Sequence, residues 1–232
     1  MIVLMLGSGP NAIAARDWDR GPIDRIVAIN NAWRIRDDWD DLVCPEDFPQ
    51  DRRPRTVTPQ QRLIEADAFV PAQNAFGGFL YAGATMAFTA AYWALHRYRP
   101  KVIGFLGCDM VYASQGSTHF YGTGTADPLR DDISLRSLEA KSARLMALAA
   151  LQGCAMINLS SDASRLVFAR RSLTELDTAK PIAPQPSELE RARAWESKLA
   201  YTTPDGRHTR YRDTADLDAL DAIDKLWLDA VR

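Results

Sequence analysis

The chain has 232 residues, 47% of them hydrophobic, with 28 basic and 30 acidic side chains and a net charge of −2. Such a chain can bury one sizeable core with an appendage, and its intermixed charges offer no basic face, which excludes nucleic acid or an anionic membrane surface as the expected partner. Cys44, Cys108 and Cys154 are odd in number and far apart, so they read as small buried hydrophobes rather than a disulfide framework or zinc site.

Ile2–Leu6 opens the chain as an apolar run of about six residues, far short of a signal sequence or membrane span. It reads as a buried strand, and the chain as cytoplasmic with no membrane span. Gly7-Ser8-Gly9-Pro10-Asn11-Ala12 then forms a tight turn into a helix over Asn11–Arg16. A turn of this kind, close to the dinucleotide pattern G-x-G-x-x-G/A, lets a phosphate approach backbone N–H groups at a helix start, and Pro10 suits the first helical turn. The next strand, Arg25–Ile29, closes on Asn30-Asn31, where a dehydrogenase would place an acidic residue. The amides can bind a ribose or a base edge, or they can simply form a turn.

Asp41–Cys44 and Ala66–Val70 are further candidate strands, and a long helix is expected from about Ala82 to Tyr98. Val102–Leu106 is a strand that delivers Gly107-Cys108-Asp109 to the carboxyl edge. Roughly two dozen loop residues follow, the length of a functional lid. They carry His119, Tyr112, Tyr121, Gly122 and Gly124. A side chain that titrates near neutrality, two phenols and permissive backbone N–H groups could form a base and an anion clamp; alternatively His119 only pins the loop. His96 on a helix and His208 in the C-terminal tail lie outside that setting. A helix over Ile133–Gln152 is closed by Gly153, and Ala155–Leu159 is the last strand. The alternation implies an α/β, Rossmann-like, mostly parallel sheet with helices on both faces and a ligand site beyond the carboxyl ends of the strands.

Past Arg171 the texture changes. "DTAKPIAPQPSELE" reads as an extended linker, giving a sheet domain over 1–176, a linker over 177–186 and a C-terminal helical appendage over 187–232. Ser187 with Glu190 forms a capping-box start, "ADLDALDAIDKLWLDAV" has helical spacing, and Asp205-Gly206 suggests a hairpin. The apolar stripe of Leu189, Trp195, Leu199, Leu217, Leu220, Ile223, Leu226 and Trp227 must be covered, by the sheet domain or by a second copy in a homo-oligomer.

The order "GSGPN", "AINNAW", "LVCPED", "YAGATMAFTAAYWAL", "VIGFLGCDM", "STHFYGTG", "INLSSDASRLVFA" over residues 1–176 resembles the bacterial sialyltransferases of glycosyltransferase family 42, whose wider relatives include archaeal-type hydroxymethylpterin diphosphokinases. The resemblance implies that Gly7, Ser8, Gly9, Asn11 and Asn30 hold the cytidine monophosphate of a sugar donor. It also implies that Gly83 lies where the family's Ser-Gly contacts that donor, that Asp109 ends the Gly-x-Asp strand, and that Tyr112 and Tyr121 stabilise the leaving phosphate. The family's His-Tyr-x-Gly-His segment takes its base from the second histidine; here Thr123 stands there and His119 matches the first.

The implied activity is a metal-independent, inverting glycosyltransferase that moves a sugar from a nucleotide donor, plausibly a CMP-sugar, to a hydroxyl acceptor, with His119 as base and no cofactor beyond the donor. The alternatives are a diphosphokinase acting on a pterin-like alcohol, with Asp109 on Mg²⁺, and a nucleotide-binding protein without catalysis.

Overall fold

In the computed structural model, residues 1–112, 116–123 and 131–232 are described. Seven parallel strands form one sheet: β1 (Ile2–Leu6), β2 (Arg25–Ile29), β3 (Asp41–Val43), β4 (Arg62–Ile64), β5 (Val102–Leu106), β6 (Ala155–Asn158) and β7 (Ala169–Arg170). Their order is β4-β3-β2-β1-β5-β6-β7. The chain steps outward from β1 to β4 and then returns to lay β5 against the free edge of β1. The strand order therefore reverses between β1 and β5, which opens a crevice at their carboxyl ends.

Every residue of β1 and β5 is buried, as strands covered on both faces must be. Val3, Met5, Val27, Ile29, Ile103 and Phe105 face a core built with α1 (Ala66–Asn74), α3 (Met86–Tyr98) and α4 (Leu138–Ala150). Leu4, Leu6, Ile26, Ala28 and Leu42 face the other way, onto a cover that includes Ala12, Ala15 and Ala32 of the 3-10 segments Pro10–Asp17 and Asn30–Arg34. The three cysteines are free and buried.

Several expected elements differ. Ala66–Val70 is not a strand but the start of α1, burying Phe69, Ala72 and Gln73 at helical spacing; Pro71 within it hides the helix from a propensity reading. The strand lies just before, as Arg62–Ile64 on the sheet edge. The helix expected from Ala82 is broken. A four-residue turn, α2 (Phe79–Ala82), ends at Gly83 with φ +85°, and α3 starts afresh at Thr85, whose hydroxyl accepts from Phe88 N at 3.3 Å. That is an N-cap, and glycine tolerates the left-handed break before it. The helix expected from Ile133 likewise begins at Leu138, capped by Ser137. Asp205-Gly206 forms a turn, with Gly206 at φ +78°, rather than a hairpin, because no strand flanks it.

The C-terminal helices α5 (Pro186–Leu199) and α6 (Leu217–Ala230) add no strand. Leu189, Leu220, Ile223, Leu226 and Trp227 bury against Leu80, Tyr81, Ala143 and Ala147 of α2 and α4. The stripe is thus largely covered within the chain, which removes the ground for expecting a second copy there; Trp195 and Leu217 stay exposed. Two buried ion pairs fix the contact. Arg144 grips both oxygens of Glu196 at 2.8 Å, and Lys141 Nζ meets Asp224 Oδ1 at 2.7 Å. Trp227 Nε1 also donates to Glu196 Oε1, at 2.7 Å. Among the described residues no helix is long and apolar enough to cross a membrane.

Candidate functional site

At the crevice lies a cleft of about 920 Å³, lined by residues from every part of the chain. Its floor is the meeting of two glycine turns. Gly7 donates its N–H to Leu106 O at 2.8 Å and Gly9 donates to Gly107 O at 2.9 Å. A Cβ on Gly7 would stand 2.2 Å from Gly107 O, and one on Gly107 would stand 2.6 Å from the Ala12 methyl. The glycines are required, but by close approach of backbone to backbone rather than by a ligand alone, and two of the turn's N–H groups are spent inside the protein.

Asn11 projects from that turn into a polar knot at the ends of β1, β5 and β6. Its Nδ2 lies 2.8 Å from Asp109 Oδ2, 2.7 Å from Ser160 Oγ and 3.0 Å from Asp162 Oδ2, and Asn158 Nδ2 lies 3.4 Å from Asp109 Oδ1. Asn30, at φ +52°, and Asn31, 3% exposed, close β2 on the same cleft. The Oδ1 atoms of Asn11, Asn30 and Asn31 are buried with no partner among the described residues. An unpaired buried acceptor is costly, typically about 1–3 kcal/mol, and all three residues belong to the lining of this cleft.

The loop bearing His119 folds onto the turn. Phe120 N donates to Ser8 O at 3.0 Å, and His119 and Gly122 exchange backbone hydrogen bonds at 2.9 and 3.1 Å. The His119 ring stacks on Tyr121 with centroids 5.0 Å apart, lies 6.0 Å from the Tyr112 ring, and has Nδ1 2.9 Å from Thr118 Oγ1. Burial lowers its pKa from the usual histidine value, so the neutral, proton-accepting form prevails at pH 7. Thr123 Oγ1 donates to Gly116 O at 3.1 Å, a loop brace. Burial raises the pKa of the Cys108 thiol far above its ordinary value, which leaves it no thiolate character.

Gly7, Ser8, Gly9, Asn11, Asn30, Asp109, Tyr112, His119 and Tyr121 all line this cleft. Gly83 does not. Its Cβ position meets Lys141 Cγ and the Phe88 ring at 3.0 Å, and Ala84 lines the cleft in its stead. Gly124 lies outside the described residues. Sequence reasoning missed His208, which reaches the cleft from the C-terminal segment together with Asp205, Gly206 and Arg207. The signal in the sequence is a histidine beside an arginine on a glycine turn, "PDGRH", in the segment that follows the prolines. Among the described residues no group of three His, Cys, Asp or Glu side chains is arranged to hold a metal ion.

Comparison with protein-family models, with curated proteins and with solved structures gives no match for this chain.

Proposed function

We propose that the cleft binds a nucleotide-activated sugar, a CMP-sugar, and transfers the sugar to a hydroxyl acceptor. One observation carries the reading: the Gly7–Asn11 turn, the unpaired amide oxygens of Asn30 and Asn31, and His119 flanked by Tyr112 and Tyr121 line a single cleft at the strand-order reversal. Ribose hydroxyls and an exocyclic base amine supply the donors those oxygens lack. In the reaction the acceptor oxygen attacks the anomeric carbon, the carbon–oxygen bond to phosphate breaks with its electron pair leaving on CMP, and the acceptor proton passes to His119. Phenolic donors from Tyr112 and Tyr121 favour the departing phosphate as its charge develops. The resemblance to family 42 sialyltransferases supports the same reading.

A thermal melt with CMP tests it. Saturation at 100 times the dissociation constant adds about 2.7 kcal/mol, and absence of any shift with CMP, CDP or UDP sinks the proposal. His119→Ala is expected to cost roughly 10²- to 10⁴-fold in turnover with CMP binding unchanged.

A second reading, Mg²⁺-dependent diphosphoryl transfer, draws on Asp109 and Asp162, whose carboxylates converge on one amide. Two carboxylates plus substrate phosphates are a common Mg²⁺ environment. ATP-induced stabilisation that requires Mg²⁺, with none from CMP, favours it.

A further inference from the structure

We propose that the C-terminal segment builds the acceptor half of the cleft, and that His208, fixed by Asp132, hydrogen-bonds a hydroxyl of a neutral saccharide acceptor. The inference rests on the transferase reading above and adds a subsite and a substrate class to it.

His208 is 8% exposed and is among the residues that line the cleft. Its Nε2 lies 2.8 Å from Asp132 Oδ2. The carboxylate is itself held, because Ser134 donates to Asp132 Oδ1 from its backbone N at 2.8 Å and from its hydroxyl at 2.7 Å. The ring stacks on Phe79 with centroids 6.2 Å apart and planes 19° apart. Thr203 anchors the segment on α2, accepting from Phe79 N at 3.1 Å and donating to Asn74 Oδ1 at 3.0 Å.

The frame that pins the segment also fixes the ring's orientation on the cleft wall. With Nε2–H donated to the carboxylate, Nδ1 is the ring nitrogen left for a ligand, and it has no partner among the described residues. A carboxylate that orients an imidazole from behind is the arrangement by which proteins fix a histidine's tautomer toward a substrate. A ligand hydroxyl, which both donates and accepts, is the group that suits that nitrogen. The ligand's charge follows from the lining, where Glu46, Asp47, Asp109, Asp162 and Asp205 outnumber Arg52 and Arg207. Arg52 and Arg207 are the counter-charges the anionic donor requires, which leaves a carboxylated acceptor without one, whereas a neutral sugar needs none.

The test uses the full chain, CMP-sialic acid as donor, and a panel of neutral and carboxylated mono- and disaccharides, with CMP release as the readout. His208→Gln keeps a donor toward Asp132 but removes Nδ1. The expected result is an acceptor KM raised about tenfold, with kcat, donor KM, background hydrolysis to water and Tm nearly unchanged. Asp132→Asn, which turns the ring toward the wrong tautomer, should raise acceptor KM alike without touching the acceptor. An unchanged acceptor KM in His208→Gln overturns the proposal, as does a loss shared equally with hydrolysis, or a preference for carboxylated acceptors. Absence of both CMP stabilisation and CMP release in the unaltered chain is a different failure, that of the transferase reading itself.

Discussion

The two walls of the cleft are built on different principles. The strand-end wall is backbone packed on backbone: Gly7 and Gly107 sit so close that side chains are excluded, and a Cβ on Gly9 would stand only 3.0 Å from Gly107 O. The C-terminal wall, residues 205–208, is held from behind by side chains reaching across the chain, Thr203 to Phe79, His208 to Asp132 and Glu196 to Arg144. The first is set by local sequence and tolerates no added atom. The second is held by ion pairs and hydrogen bonds that can be removed one at a time, so the walls should fail separately.

Glu196→Ala gives the largest expected effect. It strands the buried Arg144 guanidinium and the Trp227 indole, and breaking a buried pair commonly costs about 3–5 kcal/mol. Urea unfolding should show that loss, and hydrogen exchange should show residues 201–212 opening while amides of β1 and β5 stay protected; uniform loss of protection would mean that the walls are not separable. Gly7→Ala comes next, at about 3 kcal/mol, the upper part of the range for overpacking, because the atom it strikes is a backbone carbonyl with no freedom to move. Its exchange pattern should be the reverse, with β1 and β5 affected first. Thr203→Val is smaller, about 1–2 kcal/mol from the unsatisfied Phe79 N–H, and thermal melts should place it well below the other two.

Acid separates the walls without mutation. Burial alone would raise the Asp132 pKa, but hydrogen bonds from His208 and Ser134 outweigh it and hold the carboxyl far below its usual value. A depressed carboxylate contributes stability that is present above its unfolded pKa, about 4, and is lost as pH falls below it. The C-terminal wall should therefore loosen below about pH 4, detectable as exchange in residues 201–212. On the strand-end wall, His119 is depressed by burial. The neutral ring's contribution is present above the unfolded histidine value, about 6.5, and fades as pH falls through it. With three histidines in the chain, imidazole NMR can resolve His119, and a midpoint at or above 6.5 would contradict its burial.

This contrast also explains what could be read from the sequence. β1, β2 and β5 are uninterrupted apolar runs with glycine or asparagine punctuation, so their place and the turn at Gly7 were legible. The reason for the glycines was legible only in kind. The sequence reads the glycines as room for a phosphate, whereas the contact that requires them in the fold is the Gly107 turn, about a hundred residues away. β4 is Arg-Leu-Ile on an edge, too short and half polar to stand out, and Pro71 disguised α1. His208 was hidden for a different reason, since its meaning depends on Asp132 and Phe79, contacts that no local pattern encodes.

One consequence lies in time rather than space. Gly7 and His208 line the same cleft but stand 201 positions apart in the chain. Ribosomes add roughly 5–20 residues per second, so on the order of 10–40 s separate the synthesis of the Gly7 turn from that of the second wall, with Gly107 completing the first about midway. Until then a nascent chain carries its glycine turn and its unpaired asparagines facing water, with no wall across from them. Ligand can assist the last stage of maturation, when the C-terminal segment docks, but it cannot nucleate the sheet.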